Sequence, residues 1–434
     1  RLAMVIDGRG AVTETRYDGA SRVIGTTGYA TLIDVSTLGS SPVLADIHPV
    51  VAGDDRVARS FYDADGLLSA TLDADGYLTE MHYDSAGHLV GRTAYATATD
   101  VALRAAGTLA QLRPATSAAD AVIILLLNHK GQLAGQIDAE GYLTENIYDA
   151  NGNVTQSIRY ANKVTIGVTP NSTVADVRPA ANAQDAVTAI VYDVLNRVVE
   201  SRNSEGTVTR YTYGIDGHVL QTSTAADTAD VRTVTARYDI QGRLTGQLTP
   251  AGSALLTGNE TQAQLDAIWS QYGVSYAYDA AGRRISATDQ NGNKTLYFYD
   301  VDGHLTHTVN ALGEVTESQY NNLGQLSASI QLATRINASG LVGGLESTAS
   351  LALFASARNV ALDGKTTFTY GVTGSVASTT DALGNVSSWA YDAFGEAIQH
   401  LQGIGGGQST AETMIYDHRG FLTSSTLDAG GINA

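Results

Sequence analysis

Acidic turns are the features of this chain that could most directly bind a cation. Asp63-Ala64-Asp65-Gly66, Asp73-Ala74-Asp75-Gly76 and Asp300-Val301-Asp302-Gly303 each resemble the start of a calcium loop. None of them has the third acidic position and the distal glutamate of a complete EF-hand loop. A tight turn explains the same residues without a metal, because Asp bonds backbone groups two residues on and Gly supplies a positive φ. We predict turns here, and weak calcium binding by a stacked row of them stays open.

Groups for catalysis are present, but they do not form a recognisable site. The nine histidines are scattered, and His304 and His307 lie close together without a His-Glu-x-x-His motif. Gly371-Val372-Thr373-Gly374-Ser375 is not a Gly-x-Ser-x-Gly elbow. Carboxylate pairs occur throughout because turns use Asp, so they do not single out a glycosidase. We predict no catalytic residue, no metal site, no cofactor and no enzymatic activity.

The acidic turns belong to a repeat. Tyr278-Asp279, Tyr299-Asp300 and Tyr320-Asn321 follow one another at steps of 21 residues, and a second Asp-x-x-Gly turn lies between them. β-Rich runs separate the turns, so each unit reads turn, strand, turn, strand. This periodicity predicts a mostly β fold, an antiparallel array of β-hairpins. The predicted structural residues in six copies are Tyr62, Asp63, Gly66, Tyr83, Asp84, Gly87, Tyr148, Asp149, Gly152, Tyr278, Asp279, Gly282, Tyr299, Asp300, Gly303, Tyr391, Asp392 and Gly395.

Each residue type in the repeat has a physical reason. Tyrosines one strand pair apart could stack as a ladder of rings, with the hydroxyls reaching a polar group or water. Asp and Gly would fix the hairpin register, which a long sheet otherwise loses by slippage.

A longer period indicates insertions into the array. Pro49, Pro114 and Pro179 are 65 residues apart, and Asp55, Asp120 and Asp185 keep the same step. Helical insertions are predicted near residues 100–113, 259–272 and 344–358, with Asn259 as the cap of the second. No composition shift marks a linker, so we expect one continuous array over residues 1–434, excerpted from a longer polypeptide.

Composition narrows the possible partners. The chain has no cysteine, which excludes disulfides and thiolate chemistry, and its net charge of −18 disfavours nucleic acid. The apolar run at residues 122–127 is too short to cross a membrane, and we predict no membrane span.

A typical repeat has a Tyr-Asp pair followed by x-x-Gly and then by a second Asp-x-x-Gly turn, and the repeats recur at a step of 21 residues. This pattern resembles the repeats of the RHS/YD-repeat family over nearly the whole chain. That family includes bacterial Rhs polymorphic toxins, components of insecticidal toxin complexes and the teneurins. The resemblance implies a sheet that spirals into a shell, in a bacterial protein that is secreted or on the cell surface. It also implies a non-catalytic shell or scaffold that encapsulates or presents a toxin or effector, with the rest of the same long polypeptide as its partner. No Asp-Pro pair occurs, so the resemblance does not extend to the family's autocleavage or toxin activity.

Two other functions stay open. A cell-surface adhesin or fibre could bind glycans or neighbouring cells through Trp269 and Tyr272, although their helical spacing is more typical of core residues. A carbohydrate-active enzyme is supported by nothing beyond the abundance of aspartate.

Overall fold

A computed structural model describes residues 2–39, 42–43, 46–165, 167–169 and 172–428 of the chain. The fold is mostly β, as predicted, with thirty strands assigned to one sheet. The first fifteen strands are β1 Met4–Ile6, β2 Val12–Tyr17, β3 Val23–Gly28, β4 Arg56–Tyr62, β5 Leu68–Leu72, β6 Leu78–Tyr83, β7 Leu89–Ala94, β8 Ala121–Leu127, β9 Leu133–Ile137, β10 Tyr142–Tyr148, β11 Val154–Lys163, β12 Ala186–Tyr192, β13 Val198–Arg202, β14 Val208–Tyr213 and β15 Val219–Thr224. The others are β16 Arg232–Tyr238, β17 Leu244–Leu248, β18 Gly273–Tyr278, β19 Arg284–Thr288, β20 Lys294–Tyr299, β21 Leu305–Val309, β22 Val315–Tyr320, β23 Leu326–Gln331, β24 Gly344–Leu345, β25 Gly364–Tyr370, β26 Val376–Thr380, β27 Val386–Tyr391, β28 Ala397–Gly405, β29 Gln408–Tyr416 and β30 Leu422–Asp428.

Helices occur only as short pieces between strands of the described part of the chain. The α-helices are α1 Val101–Arg104, α2 Leu109–Leu112, α3 Val174–Val177, α4 Pro250–Ser253, α5 Gln262–Tyr272 and α6 Thr348–Ala357, and Val35–Thr37 forms a short 3-10 helix. The longest of these described helices has eleven residues, too few to cross a bilayer.

Two details of the predicted helices were wrong. The run near residues 100–113 is not one helix but two, because α1 ends at Arg104 and α2 begins at Leu109. The N-cap of α5 is Thr261 rather than Asn259, because Thr261 and Gln264 form a capping box and thereby fix the start of the helix.

A bulged turn closes each hairpin that begins with a Tyr-Asp pair. In the example at Asp279, the Gly282 N–H donates to the Asp279 carbonyl over 3.0 Å, and Gly282 has a φ of +84°. The strand register shifts between Ala277 and Tyr278, so Tyr278 pairs with Arg284. A glycine with positive φ beside an extra residue is the usual geometry of a hairpin with a bulge.

The chain divides into two compact units, and each has its own core. Unit 1 comprises Arg1–Val187, Tyr370–Ala377 and Ser387–Ala434, and unit 2 comprises Thr188–Thr369 and Ser378–Val386. Buried side chains gather where inserted segments cover the sheet. In unit 1 they form two clusters, one around Leu78 and Leu112 and one around Leu143 and Val177. In unit 2 a cluster surrounds Phe298 and Phe354. The inserted segments therefore complete the cores.

Candidate functional site

Hydroxyl groups of nine repeat tyrosines, seven of them in Tyr-Asp pairs, tie their hairpins to the ones before them. Each donates to a backbone carbonyl at the start of the second strand of the preceding hairpin. The distances are 2.7–3.2 Å for the pairs Tyr62–Val23, Tyr83–Leu68, Tyr148–Leu133, Tyr213–Val198, Tyr238–Val219, Tyr278–Leu244, Tyr299–Arg284, Tyr320–Leu305 and Tyr391–Val376. A backbone carbonyl beside a bulge thus receives a donor from a side chain of the neighbouring hairpin.

Carboxylates of the same pairs close their own turns. One oxygen of the aspartate accepts the backbone N–H four residues on, at 2.8–2.9 Å for Asp63, Asp84, Asp149, Asp279, Asp300 and Asp392. The glycines that end these turns (Gly66, Gly87, Gly152, Gly282, Gly303 and Gly395) all have φ between +83° and +91°. We call these Tyr-Asp-x-x-Gly segments the tyrosine turns.

The side chain four residues after the aspartate joins one tyrosine turn to the next. Arg283 donates through Nε to Asp279 at 2.8 Å, and its guanidinium lies 5.1 Å from the centre of the Tyr299 ring. His304 repeats this arrangement one step later, 2.9 Å from Asp300 and stacked at 4.7 Å on Tyr320. The same stacking joins Arg22 to Tyr62, Arg197 to Tyr213, His218 to Tyr238 and Arg243 to Tyr278. At these steps the ladder therefore alternates a tyrosine ring with a cation or an imidazole, whereas the sequence had suggested ring upon ring.

Electrostatics in the tyrosine turns favour ionised aspartate. The backbone N–H of Arg243 lowers the pKa of Asp239, and the Arg243 guanidinium adds to this effect against a desolvation cost. At Asp84 the backbone and side chain of His88 likewise lower the carboxyl pKa. Asp300, Asp302 and His304 approach closely enough that a cation could be held between them. The Asp300 carboxylate is already bonded to the backbone and ring of His304, so turn closure accounts for its position.

A second kind of polar cluster lies under the inserted segments, which the sequence had not predicted. We define insertion 1 as residues 29–55, insertion 2 as 95–120, insertion 3 as 160–185 and insertion 4 as 332–363. Insertions 1, 2 and 3 each begin at a buried tyrosine. All four insertions end at an aspartate, and the carboxylate of that aspartate accepts the backbone N–H of the second residue of its insertion. Those carboxylate bonds are 2.8–2.9 Å long, from Ala30 to Asp55, Ala96 to Asp120, Ala161 to Asp185 and Ala333 to Asp363.

Insertions 2 and 3 are held to the sheet by a glutamate, a tyrosine and an arginine. Glu145 of β10 accepts the hydroxyl of Tyr160 at 2.7 Å and a two-point contact from Arg178 at 2.5 and 2.8 Å. The equivalent triad under insertion 2 is Glu80, Tyr95 and Arg113. Glu80 and Glu145 are only 6% and 5% exposed, so each charge depends on its arginine for compensation.

These triads shift the pKa of their members in opposite directions. The hydrogen bond from Arg178 lowers the pKa of Glu145, against desolvation and with help from Tyr160. Burial, and after it the neighbouring Glu145 carboxylate, together raise the pKa of Tyr160 to about 12. The pKa of Tyr95 is raised to about 12 for the same two reasons. A permanently charged arginine and a neutral tyrosine therefore surround an ionised glutamate.

Insertions 1 and 4 carry variants of this triad. At insertion 1, Glu14 and Tyr29 are present, but His48 occupies the position of the arginine. At insertion 4, Leu332 replaces the tyrosine, while Arg358 still contacts Glu317. His307 fills part of that space, 2.6 Å from Glu346 and stacked at 4.1 Å on Phe354.

The missed triads did have a signal in the sequence. Glu80 and Glu145, Tyr95 and Tyr160, and Arg113 and Arg178 are each 65 residues apart, the same step as the prolines and aspartates already noted. Applying that step to every polar residue would have found them.

The insertions also bond to the turn that lies opposite the tyrosine turns. The fifth residue of each insertion donates its N–H to the carbonyl of a turn glycine, at 2.8–2.9 Å for Ile33 to Gly10, Thr99 to Gly76, Val164 to Gly141 and Ile336 to Gly313. At Gly313 an added Cβ would lie 2.0 Å from the Ile336 carbonyl oxygen. Glycine is required there by the close approach of the inserted chain as well as by its φ of +79°.

Within unit 1, the tyrosine turns near the C-terminal end contact turns near the N-terminal end. Arg56 forms a two-point ion pair with Glu396 at 2.8 Å and lies 3.7 Å over the Phe394 ring. Arg419 lies 2.8 Å from Asp75, and the His418 ring is 3.1 Å from the same carboxylate. Segments about 340 residues apart in sequence are thereby held together.

The aromatic residues proposed for ligand contact face their own chain. The Trp269 ring lies under the Arg237 guanidinium at 4.2 Å and against Gly246, and Tyr272 packs on Gly252. The polar groups described above likewise have partners within the array. Chemically, the arrangement positions and fastens strands.

This fold and its ties define a β-hairpin repeat protein. The family model described as RHS Repeat matches residues 62–99 and 278–315, so these two segments are similar to RHS repeats.

Known proteins resemble parts of the chain. One relative is the tRNA3(Ser)-specific nuclease WapA of Bacillus spizizenii, 32% identical over 152 residues, which cover 31% of this chain and 6% of that protein. The chain thus spans a small part of the length of that relative. Among solved structures, TcdB2-TccC3 without its hypervariable C-terminal region is 13% identical with a TM-score of 0.49, over 95% of this chain and 19% of that one. The Tc holotoxin pore of Photorhabdus luminescens is 13% identical with a TM-score of 0.29, over 96% of this chain and 25% of that one.

Proposed function

We propose that this chain is a non-catalytic wall, part of a shell or scaffold that encloses or presents an associated toxin or effector polypeptide. The observation that carries the proposal is the chain of ties from hairpin to hairpin, in which Tyr hydroxyls, turn carboxylates and Arg or His side chains repeat at fixed steps. Such an array makes an extended surface whose polar side chains are used for its own assembly. We place the protein outside the bacterial cytoplasm, secreted or on the cell surface.

The deeper clusters support a structural role as well. Glu80 and Glu145 are buried and ionised, an arrangement also found in catalytic sites. Here each carboxylate is occupied by a tyrosine hydroxyl and a two-point arginine contact. These contacts hold an insertion against the sheet, and they explain the perturbed pKa values without turnover.

The likeness to WapA supports the same assignment. WapA is named as a nuclease, and the matching segment covers 6% of it. We propose that this chain forms part of the wall, and that any toxic activity belongs to a different part of the polypeptide. The adhesin alternative depended on Trp269 and Tyr272, whose rings pack within the chain.

Cryo-electron microscopy of the intact polypeptide that contains these repeats would test the proposal. We expect a hollow body with additional density inside it, and an enclosed segment that resists protease until denaturant opens the wall. The isolated non-repeat segment, treated identically, is the control and should be digested. An extended fibre, or a segment digested equally fast in both samples, would contradict the proposal.

A further inference from the structure

Insertion 1 differs from insertions 2 and 3 at one functional position. His48, Arg113 and Arg178 are spaced by 65 residues, each directly before a proline, and each approaches the buried tyrosine that starts its insertion. Tyr29, Tyr95 and Tyr160 in turn each donate to a glutamate 15 residues earlier. The three sites are therefore equivalent, and a titratable imidazole replaces a permanent cation in only the first of these three.

The hydrogen bonds around His48 require an additional proton. His48 Nδ1 lies 3.0 Å from the Pro49 carbonyl oxygen, which can only accept, so Nδ1 carries a hydrogen. Nε2 lies 3.1 Å from the Tyr29 hydroxyl, and that hydroxyl lies 2.7 Å from Glu14 Oε2. The hydroxyl has one hydrogen for two contacts. The second contact needs a hydrogen on Nε2 or on Glu14, one more than a neutral imidazole and an ionised carboxylate provide.

The charges around the site favour that proton. Glu14 and Arg16 approach from β2, and Asp55 approaches from the end of insertion 1. Two carboxylates thus oppose one guanidinium, whereas at insertions 2 and 3 the arginine itself balances the glutamate.

We propose that insertion 1 is fastened to the sheet by a bound proton shared among His48, Tyr29 and Glu14, and that it loosens as the pH rises. The tie is complete only while that proton is bound, since the Tyr29 hydroxyl has a single hydrogen for its two contacts. Insertions 2 and 3 keep their ties throughout, because guanidinium does not deprotonate there. The three insertions thereby differ in their response to pH although they share one architecture. This inference does not depend on the proposed function.

Hydrogen exchange read by mass spectrometry on the full chain tests the proposal, since insertions 2 and 3 act as internal references. After correction for intrinsic exchange rates, protection of insertion 1 should fall about fivefold relative to both references between pH 5.5 and pH 8.0, the size expected of a half-exposed charged contact. His48→Arg, which copies the other two sites, should remove this difference. Arg113→His should transfer it to insertion 2.

The proposal would be overturned if, in the wild-type chain, the protection of insertion 1 relative to insertions 2 and 3 did not change with pH. A pH dependence of this relative protection that persists in His48→Arg would overturn it as well. If Arg113→His leaves insertion 2 unprotected at both pH values, Glu14→Gln decides instead. That variant removes the carboxylate and keeps its shape, so insertion 1 should lose its pH dependence, and an unaltered dependence would refute the shared proton.

Discussion

The tyrosine turns and the insertions hold the hairpins together by different physical means. A tyrosine turn uses one neutral hydrogen bond and partly exposed charges, and it repeats along the array. An insertion uses a tight backbone approach, which occurs at four places in the described chain, and insertions 2 and 3 add a buried carboxylate and an apolar cluster. The comparison teaches that regularity and local stability come from separate features. The turns set the register many times at small energy, and the insertions stabilise a few sites strongly.

The largest expected loss of stability comes from Gly313→Ala, and comparison with Gly292→Ala separates the cost of backbone strain from the cost of displacing the insertion. Gly292 and Gly313 occupy equivalent turns with φ of +80° and +79°, but nothing lies within 4 Å of a Cβ at Gly292. Gly292→Ala should cost about 1 kcal/mol for its left-handed backbone. Gly313→Ala also forces a collision with Ile336, and we expect about 3 kcal/mol of local stability to be lost. Hydrogen exchange of insertion 4 measures both, and equal losses would show that the insertion does not depend on this approach.

An intermediate effect is expected from a buried triad. Arg178→Ala leaves Glu145 without its cation, and because 46% of the Arg178 side chain is exposed we expect a loss of about 2 kcal/mol rather than the larger cost of a fully buried pair. Arg159→Ala, which removes a more exposed contact to Asp138, is the matched control and should cost much less. The quantity to measure is the free energy of local opening of insertion 3 in each variant.

The same triad makes the stability of insertion 3 depend on pH in the acidic range. The pKa of Glu145 is lowered in the folded chain, so its stabilising contribution is present above the ordinary pKa of glutamate, about 4.3, and is lost as the pH falls through the folded value. Arg178→Ala should flatten this acid-side dependence at insertion 3. Retention of the full wild-type dependence would disprove the assignment of the shift to Arg178.

The smallest effect is expected at a single tyrosine turn. Tyr148→Phe removes only the 2.8 Å hydrogen bond to the Leu133 carbonyl and should cost about 1 kcal/mol. Tyr142→Phe on the same strand is the control, because the Tyr142 hydroxyl has no hydrogen bond to the described residues, and it should be nearly neutral. Exchange of the β9 and β10 amides reports the difference. Equal effects of the two variants would mean that the hydroxyl is not the tie.

Some of this organisation could be predicted from local sequence, and some could not. The 21-residue step led to the β-hairpin fold that the structure shows. The start of α5 was misjudged because Asn259 and Thr261 are both good caps, and only the Gln264 side chain selects between them. The stacking partner of each tyrosine was also missed, because it lies on the neighbouring hairpin, four residues after the preceding aspartate.

The sequence by itself determined where the chain turns, because an Asp that bonds its own backbone and a Gly with positive φ act over four residues. Tertiary structure alone decided which groups meet beneath the insertions. Glu145, Tyr160 and Arg178 are far apart along the chain and acquire their function only when an inserted segment covers the sheet and excludes water. Burial makes that carboxylate dependent on its partners, and burial is a property of the assembled layers.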